Sequence, residues 1–187
     1  MPTPERTTLP AVVAAARAIV EEHGSEGLTM QAVAQRVGVR APSLYKRVAS
    51  RDALVGLVVE STLTDLTLEL EAAERGADEP RAALVAIAQA LRTFALAHPA
   101  CYAVALGPLP AASRPAHELL VTSSAPVLRA TSAVVGSADA LAAARTVTAW
   151  ATGFLAMELS GAFRLGGEVG PAFDYGIALL ADALAAR

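Results

Sequence analysis

Residues 29–54, TMQAVAQRVGVRAPSLYKRVASRDAL, constrain this chain more than any other stretch. Val33 and Val37 recur at the spacing of one buried helix face, and Ala34 beside them is small enough to let a second helix cross closely. Val37-Gly38-Val39 then supplies a turn, because Gly38 accepts a positive φ that a Cβ resists. A second helix opens at Ala41-Pro42, where the missing proline N–H costs no intrahelical bond. Leu44 and Val48 face inward, four apart, which leaves Arg40, Ser43, Tyr45, Lys46 and Arg47 largely outward. A small residue, a turn glycine, a buried leucine and a basic, aromatic outer face at this spacing predict a helix-turn-helix.

Charge follows the same outline. Arg36, Arg40, Lys46, Arg47 and Arg51 lie within one run that contains no acid, although the whole chain has 15 Lys+Arg against 18 Asp+Glu and a net charge of -3. Residues 1–60 hold seven basic and six acidic side chains, and the remainder holds eight and twelve. A positive face of this kind would neutralise phosphates and release counterions. The acidic remainder argues against non-specific coating of nucleic acid. The alternative is a solvated basic face on an ordinary helical hairpin.

The unit followed by LYKRVASRDAL resembles the DNA-binding domain of the tetracycline-repressor (TetR) family of bacterial transcription regulators. The residues that carry the resemblance are Thr29, Gly38-Val39, Ser43-Leu44-Tyr45, Lys46-Arg47, Ser50, Arg51, Asp52 and Leu54. Two positions depart from the family pattern. Val48 stands in place of a phenylalanine, which trims the domain core, and Arg40 stands where a small hydroxyl residue often caps the recognition helix. The close match covers about residues 8–57.

The resemblance implies an all-α protein in two parts. Residues 1–57 would be the helix-turn-helix DNA-binding domain and residues 58–187 a helical ligand-binding and dimerisation domain. It implies a homodimer, joined through the last two long helices, on a near-palindromic double-stranded DNA operator, with recognition helices in successive major grooves. A small apolar effector in the helical bundle would shift the fourth helix and release the DNA. Arg40, Tyr45 and Lys46 are expected to reach bases or the adjacent backbone, and Thr29, Ser43, Arg47 and Arg51 to hold phosphates. Tyr45 has core packing as its alternative.

Elsewhere the pattern is helical throughout. Leu9, Val12, Ala16, Ile19 and Val20 form a first helix with Pro10 in its first turn and Gly24 as its stop; Ser50 is a good N-cap for a fourth. Further helices are expected from Pro80 to His98-Pro99 and over about residues 115–135, the latter kinked or split at Pro126. Val147, Trp150, Phe154, Met157 and Gly161 form one stripe and Phe173, Ile177, Leu180 and Leu184 a second, with Gly166, Gly167 and Gly170 between them. Matching stripes of this kind pack at small crossing angles, either between chains or as a core within one.

With 54% hydrophobic residues, 4% aromatic residues and a mean hydropathy of +0.45, the chain is expected to enclose a cavity or bury a large oligomer interface. No membrane span is expected, since the longest stretch without a charged side chain, residues 93–113, is broken by Pro99, Pro108 and Pro110. Arg17 and Glu21-Glu22 spoil any signal peptide, and a single Cys101 suits a reducing cytoplasm. Phe94, Cys101, Tyr102, Trp150, Phe154 and Met157 are the candidate walls of an effector pocket.

No enzyme chemistry is expected. His23, His98 and His117 lack metal-ligand spacing, Cys101 has only His98 as a near neighbour, and no cofactor motif is present. Two alternatives stay open: a helical small-molecule-binding protein or enzyme whose helix-turn-helix is only architecture, and a regulator without a working pocket.

Overall fold

The computed structural model of the protein describes residues 8–186, which form nine α-helices and one 3-10 turn, with no strand among them. The expected class, all-α, is the one that forms. The helices gather into two compact units. One comprises the described residues through Thr64 together with His98–Leu119; the other comprises Asp65–Ala97 and the chain from Leu120 onward.

The first unit is built around α1 (Leu9–Gly27), α2 (Met30–Arg36), α3 (Ala41–Tyr45), the first half of α4 (Arg51–Arg75) and α6 (Pro99–Leu106). Thr8 caps α1, and the helix breaks where expected, at Gly24, with φ 70° and ψ 178°. Val12, Ala16, Ile19 and Val20 point inward from α1 onto Val33 and Ala34 of α2, Leu44 of α3, and Leu54, Val58 and Val59 of α4. Apolar burial is the main force holding the short helices in place, at roughly 1.5–3 kcal/mol for each large side chain fully removed from water. Alone, helices the length of α2 and α3 would not persist.

The α2–α3 turn is settled by backbone bonds. Val39 N–H donates to the Ala34 carbonyl at 2.9 Å and Gly38 N–H to the Gln35 carbonyl at 3.2 Å, the pair of bonds that closes a Schellman motif. Gly38 takes φ 75° there, and no atom lies within 4 Å of where its Cβ would be. Glycine is needed at this position for backbone conformation and not for space. Arg40 caps α3 without a side-chain bond, as its replacement of a hydroxyl residue implies. α3 is shorter than the sequence pattern suggests: Lys46 and Arg47 lie in the turn that follows it, although Val48 is still drawn into the core.

α6 is held from a distance in sequence. The Glu21 carboxylate of α1 accepts from the N–H groups of Ala100 and Cys101 at 3.1 and 3.0 Å, so a side chain from α1 caps the N-terminus of α6. Ser113, 1% exposed, donates its hydroxyl to the Asp52 carbonyl at 2.9 Å and ties the 3-10 turn (Ala111–Ser113) to the start of α4.

The second unit contains the rest of α4, α5 (Pro80–Ala97), α7 (His117–Val135, from Leu120), α8 (Ala140–Leu159) and α9 (Val169–Ala185). Leu84, Ile87, Ala88, Phe94 and Ala95 are buried on α5. α7 answers one of the two outcomes expected at Pro126. It runs unbroken through Pro126, whose ring is buried, so the segment is not split; packing of the apolar face outweighs the bond the proline cannot donate. α8 and α9 cross closely at Gly176, and the Trp150 ring fills the space beside it: a Cβ on Gly176 would lie 2.3 Å from Trp150 Cζ2. Polar ties from α5 close the unit, with Arg92 on Glu158, Gln89 on Asp174 and Arg81 on Asp182. No single helix among the described residues is long and apolar enough to cross a membrane.

Gly176→Ala is expected to destabilise the fold by about 1–3 kcal/mol, because the indole cannot be displaced without disturbing Phe173 and Phe154. A urea titration checks this: the midpoint should fall while the slope stays constant.

Candidate nucleic-acid interface

α3 and its flanks bring most of the expected contact residues to one exposed surface. Arg40, Ser43, Tyr45, Lys46 and Arg47 are all exposed, and Tyr45 is 53% accessible, so it is not a core residue. Leu44, fully buried between them, fixes which way that surface faces. Neither Arg40 nor Lys46 has a side-chain partner among the described residues.

Thr29 stands at the start of α2 as its N-cap. Its Oγ1 accepts from Ala32 N–H at 3.0 Å, which leaves the hydroxyl hydrogen to donate outward. Arg51 is placed differently from the others. Its Nε donates to the Leu28 carbonyl at 2.8 Å and its Nη2 to the Ser25 carbonyl at 2.6 Å, so the guanidinium ties the start of α4 to the end of α1. A positive charge held on two carbonyls is well oriented, and its first task is structural.

The acid-free run of the sequence is not acid-free in space. Arg36 Nη2 lies 2.7 and 2.6 Å from the two Glu22 oxygens, and that hydrogen bond holds the Glu22 carboxyl below its ordinary range. Sequence reasoning missed the pairing because Glu22 lies on the preceding helix. Arg40 and Lys46 flank α3 on either side.

The apolar candidates do not form one cluster. Cys101 and Tyr102 belong to the first unit, and Phe94, Trp150, Phe154 and Met157 to the second. Cys101 is part of the core around α1, with its thiol 3.7 Å from the Arg17 carbonyl. Tyr102 is buried and its hydroxyl has no hydrogen-bond partner. Trp150 and Phe154 pack on Phe173 at ring separations of 5.0 and 5.2 Å, and Phe154 also meets Phe163 at 4.8 Å. Arg92 covers the Phe173 ring from 5.7 Å while it holds Glu158 through two bonds of 2.5 and 3.0 Å. Phe163 and Arg92 escaped the sequence reading because neither falls on the two helical stripes.

Those stripes are only partly internal. Val147 on α8 and Phe173 and Ile177 on α9 are buried within the chain, whereas Met157 is 47% exposed. Leu141, Tyr175 and Leu179, on other faces of the same helices, are also exposed. No group of three His, Cys, Asp or Glu residues suited to a metal ion occurs among the described residues.

Known proteins fit this arrangement. Residues 84–180, just over half of the chain, match the tetracyclin repressor-like C-terminal domain, and residues 12–58 match bacterial regulatory proteins of the tetR family. An HTH-type transcriptional regulator of Mycobacterium tuberculosis is 34% identical over 92 residues, 48% of this chain and 39% of that protein. The chain thus spans about two-fifths of the length of that relative. The tetracycline repressor protein class A from transposon 1721 of Escherichia coli is 27% identical over 200 residues, with 94% of this chain and 89% of that one covered. Among solved structures, a Rhodococcus protein of unknown function aligns with a TM-score of 0.83 at 25% identity, over 99% of this chain and 100% of its own.

Burial, then the hydrogen bond and charge of Glu21, push the Cys101 thiol up to about 11 from 9.0, and burial pushes the Tyr102 phenol up to about 12 from 10.0. Both groups therefore favour the folded state fully below their unfolded values and lose that preference as pH rises through the folded ones. Thermal midpoints are expected to hold to pH ~9 and decline toward pH ~11, with Cys101→Ala flattening the first part of the decline. At pH 8 the thiol should react with a disulfide reagent only as fast as the chain unfolds.

Proposed function

The chain belongs to the tetracyclin repressor-like family of bacterial regulatory proteins, and from that premise we propose that it is a DNA-binding transcriptional regulator. In this reading it is a repressor that binds a near-palindromic double-stranded operator as a homodimer and leaves it when a small, mainly apolar effector binds. DNA binding is assigned to residues 1–57, and effector binding and dimerisation to residues 58–187. The role is regulatory and not catalytic, needs no cofactor, and is exercised in the cytoplasm.

The observation that carries the reading is the exposed α3 surface, where Arg40, Tyr45 and Lys46 surround a buried Leu44 and the two cations have no side-chain partner among the described residues. Such cations are free to exchange counterions for phosphates. Arg40, Tyr45 and Lys46 are the residues proposed to reach bases or the adjacent backbone. Thr29, Ser43 and Arg47 would hold phosphates, and Arg51 would contribute mainly by fixing the frame.

Dimerisation is proposed through the outer faces of α8 and α9. Tyr175 and Leu179 lie one turn apart on α9 and are 71% and 57% exposed, and Leu141 on α8 is 50% exposed. A second copy would cover them, and a two-fold dimer would present its α3 surfaces as a symmetric pair to symmetric half-sites. For the effector, the aromatic group around Trp150 and Phe154 supplies an apolar wall, with Phe94 and Met157 as further candidates. Cys101 and Tyr102, the other candidates for the effector wall, both belong to the first unit, and Cys101 is closed into its core. The effector must bind the released state more tightly than the operator-bound one, or it shifts nothing.

Selection from a random duplex library is expected to return an inverted repeat with steeply salt-dependent affinity; recovery of nothing above background from folded dimer would sink the reading. Lys46→Ala should weaken binding to any duplex and lower the salt slope by about one if it contacts a phosphate. An unchanged slope with altered base preference would instead place it on a base edge. Leu179→Glu should yield monomers, seen by sedimentation, and reduce operator affinity by about 10²-fold or more as the second half-site is lost.

A further inference from the structure

The first unit carries a cavity of about 400 Å³, open to solvent on one side, that none of the expected DNA or effector contacts explains, apart from Arg51 in its lining. Its size falls within the range of small-molecule sites. The wall is apolar: Val55 from α4, Ala103 and Val104 from α6, and Pro108-Leu109-Pro110 from the loop that follows. Ser25, Arg51 and Asp52 supply the polar side.

The surroundings hold this cavity open. Glu21 pins the N-terminus of α6 to α1, and Ser113 is bonded to Asp52 on α4. The Ser113 backbone also lies 3.5 Å from where a Cβ of Gly56 would stand, so α4 and the 3-10 turn are already in contact below the cavity. The two prolines give the loop few other conformations. Collapse onto the gap would break these ties.

Charge selects the ligand class. Arg51 is oriented by its bonds to Ser25 and Leu28, and its Nη1 has no partner among the described residues. A planar guanidinium held in this way is a prepared donor for a carboxylate. Asp52 sits in the first turn of α4, where the helix dipole already offsets its negative charge. The group still in need of a counter-charge is therefore the cation. We propose that this cavity binds an amphipathic monocarboxylate, with its alkyl chain against Val55, Val104 and Leu109 and its carboxylate on Arg51. A ligand seated there bridges α6 to the first turn of α4, independently of any effector in the second unit.

The test uses the full chain with selectively labelled methyl groups, titrated with octanoate and, separately, with octylamine. Saturable shifts at Val55, Val104 and Leu109 with octanoate and not with octylamine are expected, while Leu155 and Ile177 stay unmoved. Ala103→Trp, which fills the cavity, should abolish the shifts while leaving circular dichroism unchanged; Ala103→Leu, a milder filling, should weaken them if the tryptophan variant does not fold. Shifts confined to Leu155 and Ile177, or no saturable shift at all, would overturn the site. Binding that survives both Ala103 substitutions would overturn its location, and octylamine binding as well as octanoate would overturn the acid. Operator binding is measured on the same samples, so failure here is separate from failure of the regulatory reading.

Discussion

What α3 presents to solvent depends on Leu44 being inside. The helix has five residues and no side-chain cap, so its own hydrogen bonds cannot maintain it. Leu44 anchors it in the core formed by Val33, Leu54 and Val58, and the bonds from Gly38 and Val39 to α2 set where it starts. With one anchor and one turn settled, Arg40, Tyr45 and Lys46 have only the outside left to them. A cavity at position 44 would therefore disturb the contact surface as well as the stability of the unit.

Beyond that core, the first unit is assembled by charged side chains acting on backbone. Glu21 reaches the N–H groups that open α6, and Arg51 reaches the carbonyls that close α1 and precede α2. Both satisfy helix-terminal groups that would otherwise rely on water. A charged partner makes such bonds stronger than neutral ones. They are also specific in direction, since an acid suits a helix N-terminus and a base the carbonyls at a C-terminus. The second unit uses side chain against side chain instead, and there the Trp150 ring over Gly176 decides how closely α8 and α9 approach.

Periodic features were the legible ones. The buried faces of α1 and α2, the Gly38 turn and the cap at Ser50 follow from spacing and residue type alone, and each is realised. What spacing could not convey is which distant segment a face meets. The grouping of α6 with α1 rests on Glu21, some eighty residues away, and no local pattern announces it. For the same reason the stripes on α8 and α9 left open whether they pack within a chain or between chains: Val147, Phe173 and Ile177 are buried within this one, whereas Met157 and Gly161 are exposed and Trp150, Phe154, Leu180 and Leu184 are half-buried. At Pro126 the helix continues, so of the two outcomes the local rule offered, a split is ruled out.

The net charge of -3 would on its face oppose any approach to DNA. It does not decide the matter, because charges more than about 8–10 Å away are screened at ordinary ionic strength. What decides is which cations remain available near the contact surface. Arg36, Arg81, Arg92 and Arg129 are held by Glu22, Asp182, Glu158 and Glu74, and Arg51 is held by carbonyls. Those bonds hold helices together, and their electrostatic energy is already realised in the folded chain. Arg40 and Lys46, just before and just after α3, have no such partner among the described residues. The fold thus neutralises several of its cations internally and leaves Arg40 and Lys46 exposed beside α3, where they can gain free energy from a phosphate.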